Sequence, residues 1–216
     1  MSVAESRTAE RPLAMLVDDD ASVRDALAEL LNSVGIDSIT FASAHELLEA
    51  TLPDRPGCLV LDVRMPGLSG IDLQRRLASS GISIPIVFLT GHGDIAMSVQ
   101  AMKSGAVDFL TKPVRDQSFL DAVSAAIAAD IARRAAATVS RKYVALYETL
   151  TPRERQVLRA VVAGTQNKQI GFDLEITEVT VKLHRSSMMK KMQVGSITHL
   201  LSAWQSLPAD IRMGDS

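Results

Sequence analysis

Apolar and polar positions over residues 13–128 switch repeatedly between two periods, one suited to strands and one to helices. Residues 13–17 form a short apolar run. Over 22–34, Val23, Leu27, Leu30, Leu31 and Val34 share one helical face, and Gly35 is placed to close the helix. Residues 36–41 predict a second strand and 44–51 a second helix. The run Cys58-Leu59-Val60-Leu61 is apolar at every position, as a strand buried on both faces requires. A loop rich in proline and glycine continues to Gly70, followed by a helix over about 71–78. Strand 84–89, helix 95–104 and strand 106–110 complete the pattern. Five such units predict an α/β domain: a doubly wound, five-stranded parallel sheet with helices on both faces.

The pattern changes after Pro113. Neither glycine nor proline occurs between Pro113 and Pro152, and the alanine-rich stretch 125–137 favours helix. Val139, Tyr143, Leu146 and Leu150 then recur at spacings of four, three and four. One long helix that leaves the first domain as a linker accounts for this; a fifth helix followed by a loose tether is the alternative. Thr151-Pro152-Arg153-Glu154 is a helix start, with a threonine cap, a proline in the first turn and the glutamate of a capping box. Helices over about 153–163, 168–174, 178–192 and 196–206 predict a compact, all-α four-helix module.

Composition narrows the classes. A chain of 216 residues, 47% apolar, can fill a core in each of two domains. Residues 1–12 lack the apolar stretch of a signal peptide, and no run approaches the ~18 apolar residues that span a bilayer. A cytoplasmic protein without membrane contact is expected. The single cysteine, Cys58, excludes an internal disulfide and is expected to be buried. Residues 150–207 carry eight Lys/Arg against four Asp/Glu, whereas 1–149 carry 14 against 19. A basic second part behind an acidic first part suggests that the second part meets a polyanion.

Candidate chemistry lies at the ends of the predicted strands. Asp18, Asp19 and Asp20 follow the first, and Asp62 ends the third. In a parallel α/β sheet the carboxyl ends of the strands meet at one edge. Carboxylates gathered there repel one another unless a cation neutralises them, and oxygen-only ligation suits Mg²⁺ (or Mn²⁺). Asp62 can then act as a carboxylate nucleophile towards phosphorus. Taken alone, an Asp triplet also reads as a solvated turn or helix cap. Thr90 at the end of the fourth strand and Lys112 at the end of the fifth favour the chemical reading. They add the hydroxyl and ammonium donors that a phosphoryl group needs.

With these motifs in place, the chain resembles the receiver domains of two-component response regulators, with the domain at 11–128 and a flavodoxin-like fold. The resemblance implies that Asp19 binds the ion directly, Asp18 acts through water, Asp62 is phosphoacceptor and ligand, and the Arg64 carbonyl completes the set. It implies that Lys112 pairs with the phosphoryl group, that the Lys112–Pro113 bond is cis, and that Thr90 and Phe109 form a switch pair. His92 either shades the phosphoryl group or is an exposed loop residue.

The last part carries its own motifs. Asn167-Lys168-Gln169-Ile170 precedes Thr177-Glu178-Val179-Thr180-Val181-Lys182-Leu183-His184-Arg185. Thr177 caps a helix on which Val181, Met188 and Met192 face inward, while Val179, Lys182, Leu183 and Ser186 face outward. Lysine can read guanine, serine a base or phosphate, and apolar groups the thymine methyl. Residues 150–207 resemble the LuxR-type helix-turn-helix, behind a helical linker at 129–149. That implies 168–174 as scaffold helix and 178–192 as recognition helix in the major groove. Lys182, Leu183 and Ser186 become base readers; Lys168, His184, Arg185 and Lys190 become phosphate contacts. The last helix, with Ile197, Leu200, Leu201 and Trp204, would dimerise the module. Together the two halves are similar to the FixJ-like branch of response regulators. The expected function is a transcription regulator, not an enzyme, phosphorylated on Asp62 by a sensor histidine kinase. Its expected partners are double-stranded promoter DNA, a second copy after phosphorylation, and RNA polymerase. The rival readings are a phosphotransfer enzyme and a phospho-regulated RNA or protein binder. The first would want an Asp-x-Asp pair that Asp62-Val63-Arg64 lacks; the second would want exposed aromatics or an acidic partner surface.

Overall fold

Residues 11–91, 99 and 101–213 are described by a computed structural model of the chain. It forms two compact units that divide between Arg133 and Arg134. In the first unit, β1 (Leu13–Val17), β2 (Asp37–Phe41), β3 (Gly57–Asp62), β4 (Ile86–Thr90) and β5 (Asp108–Thr111) pair in the order β2-β1-β3-β4-β5, all parallel. Every residue of β1, β3 and β4 is buried, which is why these runs are apolar without alternation. Successive side chains serve opposite faces. Met15, Leu59, Leu61 and Phe88 pack with α2 (Ala44–Glu49) and α3 (Gly70–Ser79). Leu16, Val60, Val87 and Leu89 pack with α1 (Ala21–Ser33) and with Phe119, Val123 and Ala126 of α4 (Asp116–Glu148).

The differences from the sequence reading are local. β4 and β5 each begin two residues later and end one residue further than the apolar pattern predicts. The shift makes Thr90 the last residue of its strand. Val34, expected on the buried face of α1, is exposed, because the helix ends at Ser33 and Val34 is its C-cap. Gly35 follows with a φ of +80°, a conformation that closes helices readily only for glycine. Half of the helix expected at 95–104 lies outside the described residues; residues 99 and 101–103 within it are helical.

The uninterrupted stretch between the two prolines is one helix: α4 runs 33 residues without a break. Within the second unit, Tyr147 is buried, and Tyr143, Val144 and Leu146 pack on the same core. The final turns of α4 are therefore part of that unit. It continues with α5 (Pro152–Val162), α6 (Asn167–Asp173), α7 (Glu178–Lys191), α8 (Ile197–Gln205) and a short α9 (Ala209–Met213) that the apolar pattern does not show. Val157, Leu158, Ile170, Val181, Met188, Met192 and Leu200 form its centre. Leu200, expected at a dimer surface, is fully buried here, while Ile197 and Leu201 remain exposed on α8. Among the described residues no helix is long and apolar enough to cross a membrane.

Candidate functional site

The carboxyl edge of the sheet gathers the predicted groups. Asp18 leaves β1, Asp62 ends β3, Thr90 ends β4, and Lys112 follows β5. Asp18, Asp19 and Asp62 each offer an oxygen, and these atoms lie within 4.8 Å of one another. Asp18 and Asp62 are buried and Asp19 is exposed. The Lys112 ammonium donates to Asp18 Oδ2 at 2.5 Å and to Asp62 Oδ2 at 2.9 Å. Burial alone would lower the pKa of Lys112, but its bonds to the two carboxylates outweigh burial and hold it above the usual lysine value. A donor set of carboxylate oxygens, already bridged by a positive group, fits a hard divalent cation.

Local structure explains why these side chains converge. Asp18 N–H donates to the Phe41 carbonyl, which fixes the start of the acidic loop against the end of β2. Asp20, the third acid, is used elsewhere: its carboxylate caps α1 by accepting from Ser22 and Val23. Asp62 Oδ1 accepts from the Arg64 backbone N–H at 3.1 Å, which aims its other oxygen at Lys112. Behind it, Gly70 is indispensable: a Cβ there would lie 2.3 Å from the Asp62 carbonyl oxygen. Lys112–Pro113 is the cis bond expected. Thr90 is fully buried, and Phe109 is half-buried with its ring 6.2 Å from that of Phe88. His92 lies outside the described residues.

In the second unit, Thr177 caps α7 by accepting from Thr180 N–H. Val179 and Leu183 are 67% and 66% exposed although apolar, and Lys182, Ser186 and Lys190 are exposed beside them. Lys182 is paired with Glu178 at 2.9 Å on the solvent side. Lys168 is exposed on α6, whereas His184 and Arg185 are half-buried. Arg185 donates to Asn167 Oδ1 at 3.0 Å, so in this structure it ties α7 to α6.

Two features were missed by sequence reasoning. Buried Glu154 accepts from Lys191 at 2.7 Å and Ser187 at 2.6 Å, besides the capping-box bond from Thr151 N–H at 2.8 Å. Burial alone would raise its pKa, yet these donors lower it to about 2. In the first unit, buried Asp130 accepts from Gly57 N–H at 3.0 Å, tying α4 to the first residue of β3. Neither pairing has a signal at short sequence spacing.

Comparison with known proteins agrees with this division. Residues 14–124 match the family described as response regulator receiver domain, and 148–203 the bacterial regulatory proteins of the luxR family. Nodulation protein W of Bradyrhizobium diazoefficiens is 49% identical over 197 residues, covering 91% of this chain and 87% of its own. The transcriptional regulatory protein FixJ of Rhizobium meliloti is 44% identical over 187 residues, covering 86% of this chain and 91% of its own. The solved structure of the response regulator StyR matches with a TM-score of 0.76 at 46% identity, covering 90% of this chain and 98% of that one. Full-length FixJ from B. japonicum matches with a TM-score of 0.56 at 37% identity, covering 94% and 98%.

Proposed function

Because the chain belongs to the response regulators that join a receiver domain to a LuxR-family DNA-binding domain, we propose that phosphorylation of Asp62 by a sensor histidine kinase controls its binding to promoter DNA. The observation that carries this reading is the meeting of Asp18, Asp19, Asp62 and Lys112 at one sheet edge. Asp18, Asp19, Asp62 and the Arg64 carbonyl would hold Mg²⁺ or Mn²⁺. A bound ion supplies charge neutralisation for the carboxylates and the incoming phosphoryl oxygens. An Asp62 oxygen bonds to phosphorus as the donor's bond to phosphorus breaks, and the bonding pair leaves with the donor. Lys112 balances charge on the resulting acyl phosphate, and the Thr90 hydroxyl turns towards it while Phe109 follows inward.

We assign the receiver to 11–128, the linker to 129–149 and the DNA-binding domain to 150–207. In that domain Lys182, Leu183, Ser186 and Val179 face the bases, and Lys168, His184, Arg185 and Lys190 face phosphate. Phosphorylation is read as pairing two receivers, and RNA polymerase as a further partner, in the cytoplasm. Labelling by a small phosphodonor tests the chemistry. The parent should take one acid-labile, hydroxylamine-sensitive phosphate only with Mg²⁺ or Mn²⁺ present, and Asp62→Asn should take none. An Asp62→Asn protein labelled as well as the parent would overturn the assignment.

A further inference from the structure

The acidic loop is held by a cation that no motif assigns. Arg24, in the first turns of α1, donates from Nη1 to the backbone carbonyl of Asp18 at 2.6 Å, and its side chain is half-buried. The neighbouring bonds show what this one adds. Asp18 Oδ1 is held by Asp20 N–H at 3.0 Å, Oδ2 by Lys112, and the Asp18 N–H by Phe41. Those contacts fix the Asp18 side chain and the strand end. The carbonyl belongs to the next peptide plane, the one that joins Asp18 to Asp19. A planar peptide has no internal freedom, so anchoring its carbonyl fixes the N–Cα axis of Asp19; with the next peptide held through Asp20 N–H, this sets the direction from which the Asp19 side chain departs. Asp19 is the exposed member of the three carboxylates, the one that packing constrains least.

We propose that Arg24 is a positioning residue for the divalent cation, holding the Asp18–Asp19 peptide so that the Asp19 carboxylate faces Asp62. The proposal rests on reading the acidic cluster as the ion site. Two effects of Arg24 oppose each other, and their signs differ. Its positive charge repels an incoming cation; its hydrogen bond preassembles the ligands, and a preorganised first shell is what divalent sites need. The bond goes to a backbone carbonyl, whereas carboxylate oxygens would hold the ion, so Arg24 competes for none of those ligand atoms. Positioning therefore outweighs repulsion.

Calorimetric titration of the full-length protein with MgCl₂ tests this. Arg24→Met, which keeps the aliphatic stem and helix propensity, should weaken Mg²⁺ binding about ten-fold. Arg24→Lys, with charge and donor retained, should recover most of that loss. Phosphorylation by a small donor gives a second readout: for Arg24→Met the Mg²⁺ concentration for half-maximal rate should rise, while the rate at saturating Mg²⁺ stays near the parental one. Should Arg24→Met fail to fold, Arg24→Leu, which also lacks a donor, carries the same expectation. Equal or tighter Mg²⁺ binding by the variant, or a rate that excess Mg²⁺ does not restore, overturns the role of Arg24 alone. A parent that binds no Mg²⁺ overturns both this proposal and the reading of the pocket beneath it.

Discussion

Glu154 keeps its charge where little water reaches it, at 4% exposure, because three donors converge on its two oxygens. Its folded pKa is lowered from 4.5 to about 2. The stabilisation is therefore fully present above about pH 4.5 and is lost as pH falls towards 2. A shift of that size corresponds to about 3 kcal/mol. Glu154→Gln should destabilise the second unit by roughly 3 kcal/mol, since Lys191 loses its anion, and should flatten the stability profile between pH 4.5 and 2. Urea unfolding followed through Trp204, the chain's one tryptophan and a residue packed on that core, reads this unit directly. A variant as stable as the parent, with the same acid profile, would contradict this account. The capping box that orients Glu154 is legible in Thr151-Pro152-Arg153-Glu154. Its partner Lys191 lies 37 residues away and meets it only once α5 and α7 pack. The same limit hid the bond of Arg24: its guanidinium has many possible acceptors, and only the folded loop selects the Asp18 carbonyl.

At the level of elements, the strands and the polar candidate residues at their ends were legible because the apolar runs stop there. Asp62, Thr90 and Lys112 each interrupt or follow such a run at the same edge. Less was legible where an element ends for tertiary reasons. Val34 fits the apolar stripe of α1 but falls one residue past its last turn. Leu200 fits both an exposed dimer stripe and a core position, and packing against α5 and α7 decides for the core. α9 is five residues long, too short for periodicity to show. The longest element carries a functional claim. α4 is unbroken, and Ala135, Ala136 and Ala137 in its middle are exposed, so they can be replaced without opening a core. Three glycines there cost about 1 kcal/mol of helix stability each. The triple variant should still take phosphate on Asp62, while its DNA affinity responds less to phosphorylation than the parent's. Equal response in the two proteins, measured by DNA titration before and after phosphorylation, would make the stretch a tether.

For the whole molecule, the acidic first unit and basic second unit fit the two tasks proposed for them, accepting a phosphoryl group and meeting a polyanion. Phosphorylation can change DNA affinity only by favouring one state of the chain or its dimer over another. Coupling of this kind is typically about 1–3 kcal/mol, or roughly 5–150-fold in affinity. The most direct test takes a duplex selected from bacterial genomic DNA by the phosphorylated protein. Its dissociation constant is then measured for the parent and for Asp62→Asn, each with and without phosphodonor and Mg²⁺ at one fixed salt concentration. The account predicts that the parent binds roughly 5–150-fold more tightly once labelled, and that Asp62→Asn does not respond. A fully labelled parent whose affinity for that duplex is unchanged would contradict it.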